Sequence, residues 1–122
     1  MNVNKRNNVN ILGESGPTIL FAHGLGCSQS VWSRITPAFA GTHRQVLFDY
    51  VGSGKSQLSA FSAVRYSGLA GYVQDVLDVC EAQGLQSGVT FVGHSASCNV
   101  GLLASIARPD LFDRLILVGP SP

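Results

Sequence analysis

Four short apolar runs recur along the chain, at Thr18 to Ala22, Gln45 to Asp49, Val89 to Gly93 and Arg114 to Val118. Each is nearly continuous in Ile, Leu, Val and Phe, the pattern of a strand covered on both faces rather than a half-exposed one. Between the second and third runs, Tyr66, Leu69, Val73, Val76, Leu77 and Cys80 recur at steps of three and four. That spacing predicts a helix with one apolar face, stopped by Gly84. A second helix is predicted from about Ala96 to Ala107, because the ring of Pro109 disfavours helical backbone at Arg108. A shorter helix is predicted over Ser30 to Phe39. The first dozen residues, with Asn7 and Asn8 between Val3 and the Val9 to Leu12 run, predict an antiparallel hairpin at the sheet edge. Strands alternating with helices give an α/β class, a mostly parallel sheet with helices on both faces. No internal repeat or linker interrupts the pattern, so residues 1–122 read as a single domain.

Composition narrows the partners. A chain of 122 residues with 45% hydrophobic and 12% charged content supports a packed core. Eight basic and seven acidic residues, scattered without runs, leave a net charge of +1 and no footprint for nucleic acid or an anionic membrane. The apolar runs fall far short of the roughly 20 residues a spanning helix needs. Lys5 and Arg6 are not followed by the apolar stretch of a secretory signal. Cys27, Cys80 and Cys98 are odd in number and lack CxxC spacing, which suggests neither a disulfide framework nor a zinc site. These features together predict a soluble cytoplasmic protein.

Candidate chemistry centres on Ser95, in the run Phe91, Val92, Gly93, His94, Ser95, Ala96, Ser97. An apolar strand end, a tight turn and a helix pattern make a nucleophile elbow, which needs small flanking residues because the helix passes close to the strand. The last small position is Ser97 where the usual pattern has Gly. Upstream, the run His23, Gly24, Leu25, Gly26 follows the first apolar strand, where a loop aims backbone N–H groups at a developing oxyanion. Leu25 and Ala96 are the natural donor pair, the latter at a helix N-terminus whose dipole favours negative charge. The competing reading is two glycine turns that merely pack. An elbow also needs an acid and then a histidine later in the chain, yet His23, His43 and His94 all precede or adjoin the serine.

His94, adjacent to Ser95 in a sharp turn, points elsewhere and makes a poor base. His23 reads as a loop anchor beside the site, His43 as a solvated residue, and Asp110 and Asp113 as structural or solvated. Cys98 reads as a small buried apolar residue. The segment Gly52, Ser53, Gly54, Lys55, Ser56 ends like a phosphate loop, but Asp49 stands where that motif requires its first Gly. It reads as a turn, with Asp49 a structural acceptor, and no ATP binding is expected.

With HGLG, the aspartate turn DYVGSGKS, the helix YVQDVLDVCEAQGL, the elbow VGHSAS and the closing LILVGPSP, the chain resembles the α/β-hydrolase superfamily. It is most similar to the branch that contains the bacterial stress-signalling regulator RsbQ and the plant karrikin and strigolactone receptors. The similarity runs from about Gly16 to the last residue. It implies Ser95 as nucleophile, Leu25 and Ala96 as oxyanion donors, small apolar ester or lactone substrates, and no organic cofactor or metal. It also implies that the helical lid, the last strands and the loops bearing the triad acid and histidine are missing, so that these residues form a truncated N-terminal portion, inactive alone. The alternative is a noncatalytic module derived from a hydrolase, self-associating as a homodimer or larger assembly through an exposed strand edge near 114–122.

Overall fold

A computed structural model describes residues 2–120. Five strands form one sheet: β1 (Asn10–Leu12), β2 (Thr18–Ala22), β3 (Arg44–Leu47), β4 (Val89–His94) and β5 (Phe112–Val118), in the order β1-β3-β2-β4-β5. β1 runs antiparallel to β3, and every other pairing is parallel. Parallel neighbours require crossovers. Two of these carry the long helices α2 (Leu69–Ala82) and α3 (Ala96–Ala107), and the short α1 (Val3–Arg6) precedes β1.

One face of the sheet packs Leu20, Val46 and Phe91 against Val76 and Val79 of α2 and Val100 and Ala104 of α3, all almost fully buried. The opposite face packs Ile19, Phe21 and Leu47 against Trp32. Among the described residues only two 3-10 helices, Gln29–Trp32 and Thr36–Phe39, lie beside that face, where Trp32 stacks tilted on Phe21 with ring centroids 5.1 Å apart. An open apolar groove of about 370 Å³ runs along it, with Ile116 and Val118 of β5 about half exposed at its side.

α3 spans the predicted residues and β2 the predicted strand. Three local predictions are corrected. The N-terminal hairpin is instead α1 followed by the single strand β1. Asn2 caps α1 through its side-chain oxygen, and Asn8 turns the chain at φ 45°. The Ser30 to Phe39 helix is the two 3-10 pieces, because Pro37 enters the second one and has no N–H to continue a helical ladder. The helix between β3 and β4 starts at Leu69, beyond Tyr66, with extended backbone at Gly68 (φ −149°). Gly84 ends that segment in the left-handed conformation (φ 72°), as predicted. β3 stops at Leu47 because the next N–H groups turn away: that of Asp49 donates to the Asn7 carbonyl (2.8 Å).

Among the described residues, no helix is long and apolar enough to cross a membrane.

Candidate active site

Parallel strands share one C-terminal edge, and the turns leaving β2, β3 and β4 there carry His23, Tyr50 and Ser95. Clefts in open α/β sheets form at this edge. Ser95 occupies φ 57°, ψ −118°, a combination a non-glycine residue adopts at a cost of order 1–3 kcal/mol. The turn is held from both sides: the Ser95 N–H donates to the Val118 carbonyl (3.0 Å), and the Ser95 carbonyl accepts from the Cys98 N–H (3.0 Å). Small neighbours are a steric requirement here. A Cβ on Gly93 would sit 2.9 Å from the Ser97 carbonyl oxygen and 2.7 Å from the Phe91 ring. No described residue forms a hydrogen bond with Ser95 Oγ.

The loop after β2 touches this turn directly. A Cβ on Gly24 would stand 2.8 Å from His94 Nδ1 and 3.4 Å from Ser95 Cβ, so only glycine lets the two turns meet. Leu25 and Ala96 line one small pocket with His23, Tyr50, Tyr72 and Ser97. Among the described residues, neither the Leu25 nor the Ala96 amide has an acceptor. Leu25 is 62% exposed, an apolar surface beside the turn.

His23 is fully buried and pinned at both ring nitrogens. Tyr50 N–H donates to Nε2 (3.1 Å), which fixes the neutral tautomer whose Nδ1–H donates to the Gly24 carbonyl (2.7 Å). Burial pushes its pKa below the usual imidazole value, only partly offset by the Gly24 bond and the Asp49 charge. It anchors the loop, as the sequence indicates. His94 forms no hydrogen bond to Ser95; its ring lies against Gly24, and its buried Nδ1 is unpartnered. His43 is half-buried: its ring packs edge-on against Phe39 with centroids 5.3 Å apart, and Nδ1 bonds the exposed Thr42 hydroxyl (2.8 Å). Cys98 is buried, with Sγ 3.4 Å from the Gly93 carbonyl. Asp110 and Asp113 are exposed. Asp113 is the extra residue where the β4–β5 register shifts, at the sheet end remote from Ser95.

Asp49 is a structural acceptor. Its carboxylate takes the Gln29 N–H (2.8 Å), Asn8 Nδ2 (2.9 Å) and the Lys55 N–H (3.0 Å). These bonds outweigh burial and lower its pKa. The Gly52 to Ser56 segment is a turn wrapped around that carboxylate, with a Cβ on Gly54 falling 2.5 Å from Oδ2.

Two features escaped the sequence reading. One is a buried hydrogen-bonded run through Tyr50, Ser97 and His23. The other is an ion cluster of Arg6, Arg65, Asp75 and Asp78. Neither has a sequence signature beyond a hydroxyl at the small elbow position. Among the described residues, no three His, Cys, Asp or Glu side chains converge as a metal-ligand cluster.

Residues 17–122 match the alpha/beta hydrolase fold family. The chain is 42% identical over 120 residues to a Petunia hybrida karrikin insensitive 2 receptor, covering 98% of this chain and 44% of that protein. It is 42% identical over 115 residues to the Arabidopsis thaliana strigolactone esterase D14, covering 94% of this chain and 43% of that one. Among solved structures, a hydrolase from Oleispira antarctica superposes with a TM-score of 0.94 at 41% identity, over 99% of this chain and 44% of its own. The chain thus spans under half the length of these relatives. On the family match, the chain belongs to the α/β-hydrolase fold family.

Proposed function

We propose that Ser95 is the nucleophile of a serine hydrolase acting on small apolar esters or lactones, with the Leu25 and Ala96 amides as oxyanion donors. The observation that carries this reading is the strained Ser95 turn resting against Gly24, beside two amides left without acceptors. The similar strigolactone esterase supports an ester or lactone substrate, and exposed Leu25 offers an apolar wall for one. No described residue places a base on Ser95 Oγ, and in this reading the triad acid and histidine belong to the part of the relatives' length that these 122 residues do not match. The isolated chain then keeps only the oxyanion donors and the turn, and its turnover falls by about a millionfold from that of a complete triad. A fluorophosphonate tests the reading. Slow labelling of Ser95, located by mass spectrometry and abolished in Ser95→Ala, is expected, while turnover of a nitrophenyl ester stays near background. Brisk turnover refutes the missing-base argument, and labelling that Ser95→Ala does not abolish refutes the nucleophile.

A second reading is favoured by one observation: among the described residues β5 pairs only with β4, and it leaves Ile116 49% and Val118 44% exposed beside the apolar groove. Self-association along β5 covers both the open edge and these side chains. Of the predicted 114–122 interface, Ser121 and Pro122 lie outside the described residues. Light scattering showing a strict monomer at high concentration removes this reading.

A further inference from the structure

The elbow departs from the glycine pattern at Ser97, and that departure is built into the interior. Ser97 is 1% exposed. Its hydroxyl donates to the His23 carbonyl (2.5 Å) and receives the Tyr50 hydroxyl proton (2.6 Å). Donor and acceptor roles follow from the partners, since a carbonyl only accepts and Ser97 has one proton to give. Tyr50 therefore meets His23 twice, through its backbone N–H on the ring and through Ser97 on the carbonyl. His23 in turn holds the Gly24 carbonyl. The bonds close a ring through the turns leaving β2, β3 and β4, and the residue two positions beyond His23 is Leu25.

We propose that Ser97 and Tyr50 are positioning residues, whose buried hydroxyl relay sets the Leu25 amide in register with Ser95. This rests on the reading of Ser95 as nucleophile and Leu25 as oxyanion donor. The physical ground is that an amide helps a developing oxyanion only at about 2.7–3.1 Å, so a loop free to shift by a few tenths of an ångström loses the contact. Glycines at 24 and 26 make the loop intrinsically loose. The Gly24 contact with Ser95 limits its approach from one side, and the hydroxyl relay ties it down from the other. A purely packing role for position 97 would be met by alanine.

Two measurements on the same 122-residue chain test the proposal: the rate of Ser95 labelling by a fluorophosphonate, and the nitrogen-15 order parameter of the Leu25 amide. In Ser97→Ala, labelling is expected to slow roughly tenfold and the Leu25 amide to gain amplitude of motion, with strand amides unchanged. Tyr50→Phe keeps the Ser97 bond to His23 and is expected to give a smaller slowing, which maintains the test if Ser97→Ala fails to fold. Ser105→Ala removes another hydroxyl of α3, one that bonds only within the helix, and is expected to label at the parent rate. Labelling and the Leu25 amide unchanged in every relay variant that folds, whatever its melting temperature, overturns the proposal and leaves Ser95 as nucleophile intact. Absence of Ser95 labelling in the parent chain overturns the nucleophile reading and the positioning role with it.

Discussion

Asp75 is fully buried, and two arginines compete to be its counterion. Arg65 approaches to 2.5 Å and Arg6 only to 3.1 Å, so distance alone ranks Arg65 first. Burial ranks them the other way. The Arg65 side chain is 37% exposed and that of Arg6 is 7% exposed. Hydrogen bonding to Asp75 raises the Arg65 pKa, but water screens a guanidinium this exposed, and exposed pairs contribute about 0–1 kcal/mol. Arg6 also bonds Asn7 Oδ1 (2.8 Å) and Asp78 (3.1 Å), and its stem ties α1 to α2. Removing one partner of a buried pair costs about 3–5 kcal/mol. Asp75 keeps Arg65 and the Tyr66 hydroxyl (2.6 Å), which places Arg6→Ala at the low end, about 3 kcal/mol, against about 1 kcal/mol for Arg65→Ala. Urea unfolding followed by circular dichroism measures both. An Arg65→Ala loss equal to or larger than that of Arg6→Ala refutes the argument from burial.

Stability is expected to peak at roughly neutral to mildly alkaline pH. His23's folded pKa is lowered, so its contribution is complete above the model-peptide value of about 6.5 and is lost below it, by at most about 1.4 kcal/mol per pH unit. Burial raises Tyr50, and pushes Cys80 up to about 12, so their contributions hold at neutral pH and are lost as pH rises through the ordinary tyrosine and thiol range. Melting temperatures across pH check this, and a flat profile from pH 5 to pH 6.5, of order the lower shoulder, contradicts the buried neutral His23. Gly54→Ala is expected to cost about 2 kcal/mol, because the residue sits at φ 51° with Asp49's carboxylate where a Cβ would go. A urea midpoint indistinguishable from the parent's contradicts that. Gly101→Ala drives a methyl into the Phe91 ring and is expected to cost about 1–3 kcal/mol, whereas a stabilised variant shows that the ring yields freely.

Elements with a local cause were legible. α3 starts at the elbow and ends before Pro109, and Gly84 turns left-handed where the α2 periodicity stops. Tyr66 misled the helix start for a physical reason: it reaches the α2 core from a loop, with its ring 4.9 Å from that of Tyr72, so it keeps helical spacing without helical backbone. The Asn-rich start misled more deeply. Asn7 reads as a turn residue, yet it is fully buried, donating to the Asp49 carbonyl 42 positions away and accepting from Arg6. Such partners are set by tertiary structure, and no pattern along the chain encodes them.

The candidate site divides the same way. Ser95, Leu25 and Ala96 stand in short motifs whose geometry is local, a strand end and a turn, so their placement follows from a few neighbouring residues. Ser97 is the informative case between the two. A hydroxyl at a position where the helix passes close to the strand must be buried, and a buried hydroxyl must find a partner. The sequence therefore contains the statement that Ser97 bonds to something, while the partner, the His23 carbonyl 74 residues earlier, exists only once β2 and β4 lie side by side. A serine at that position in another chain of this family is then expected to mark the same tie wherever a hydroxyl stands at the position of Tyr50. Where that hydroxyl is lacking, the serine keeps its bond to the carbonyl after β2 and loses only the proton it accepts, and the loop should be the looser one.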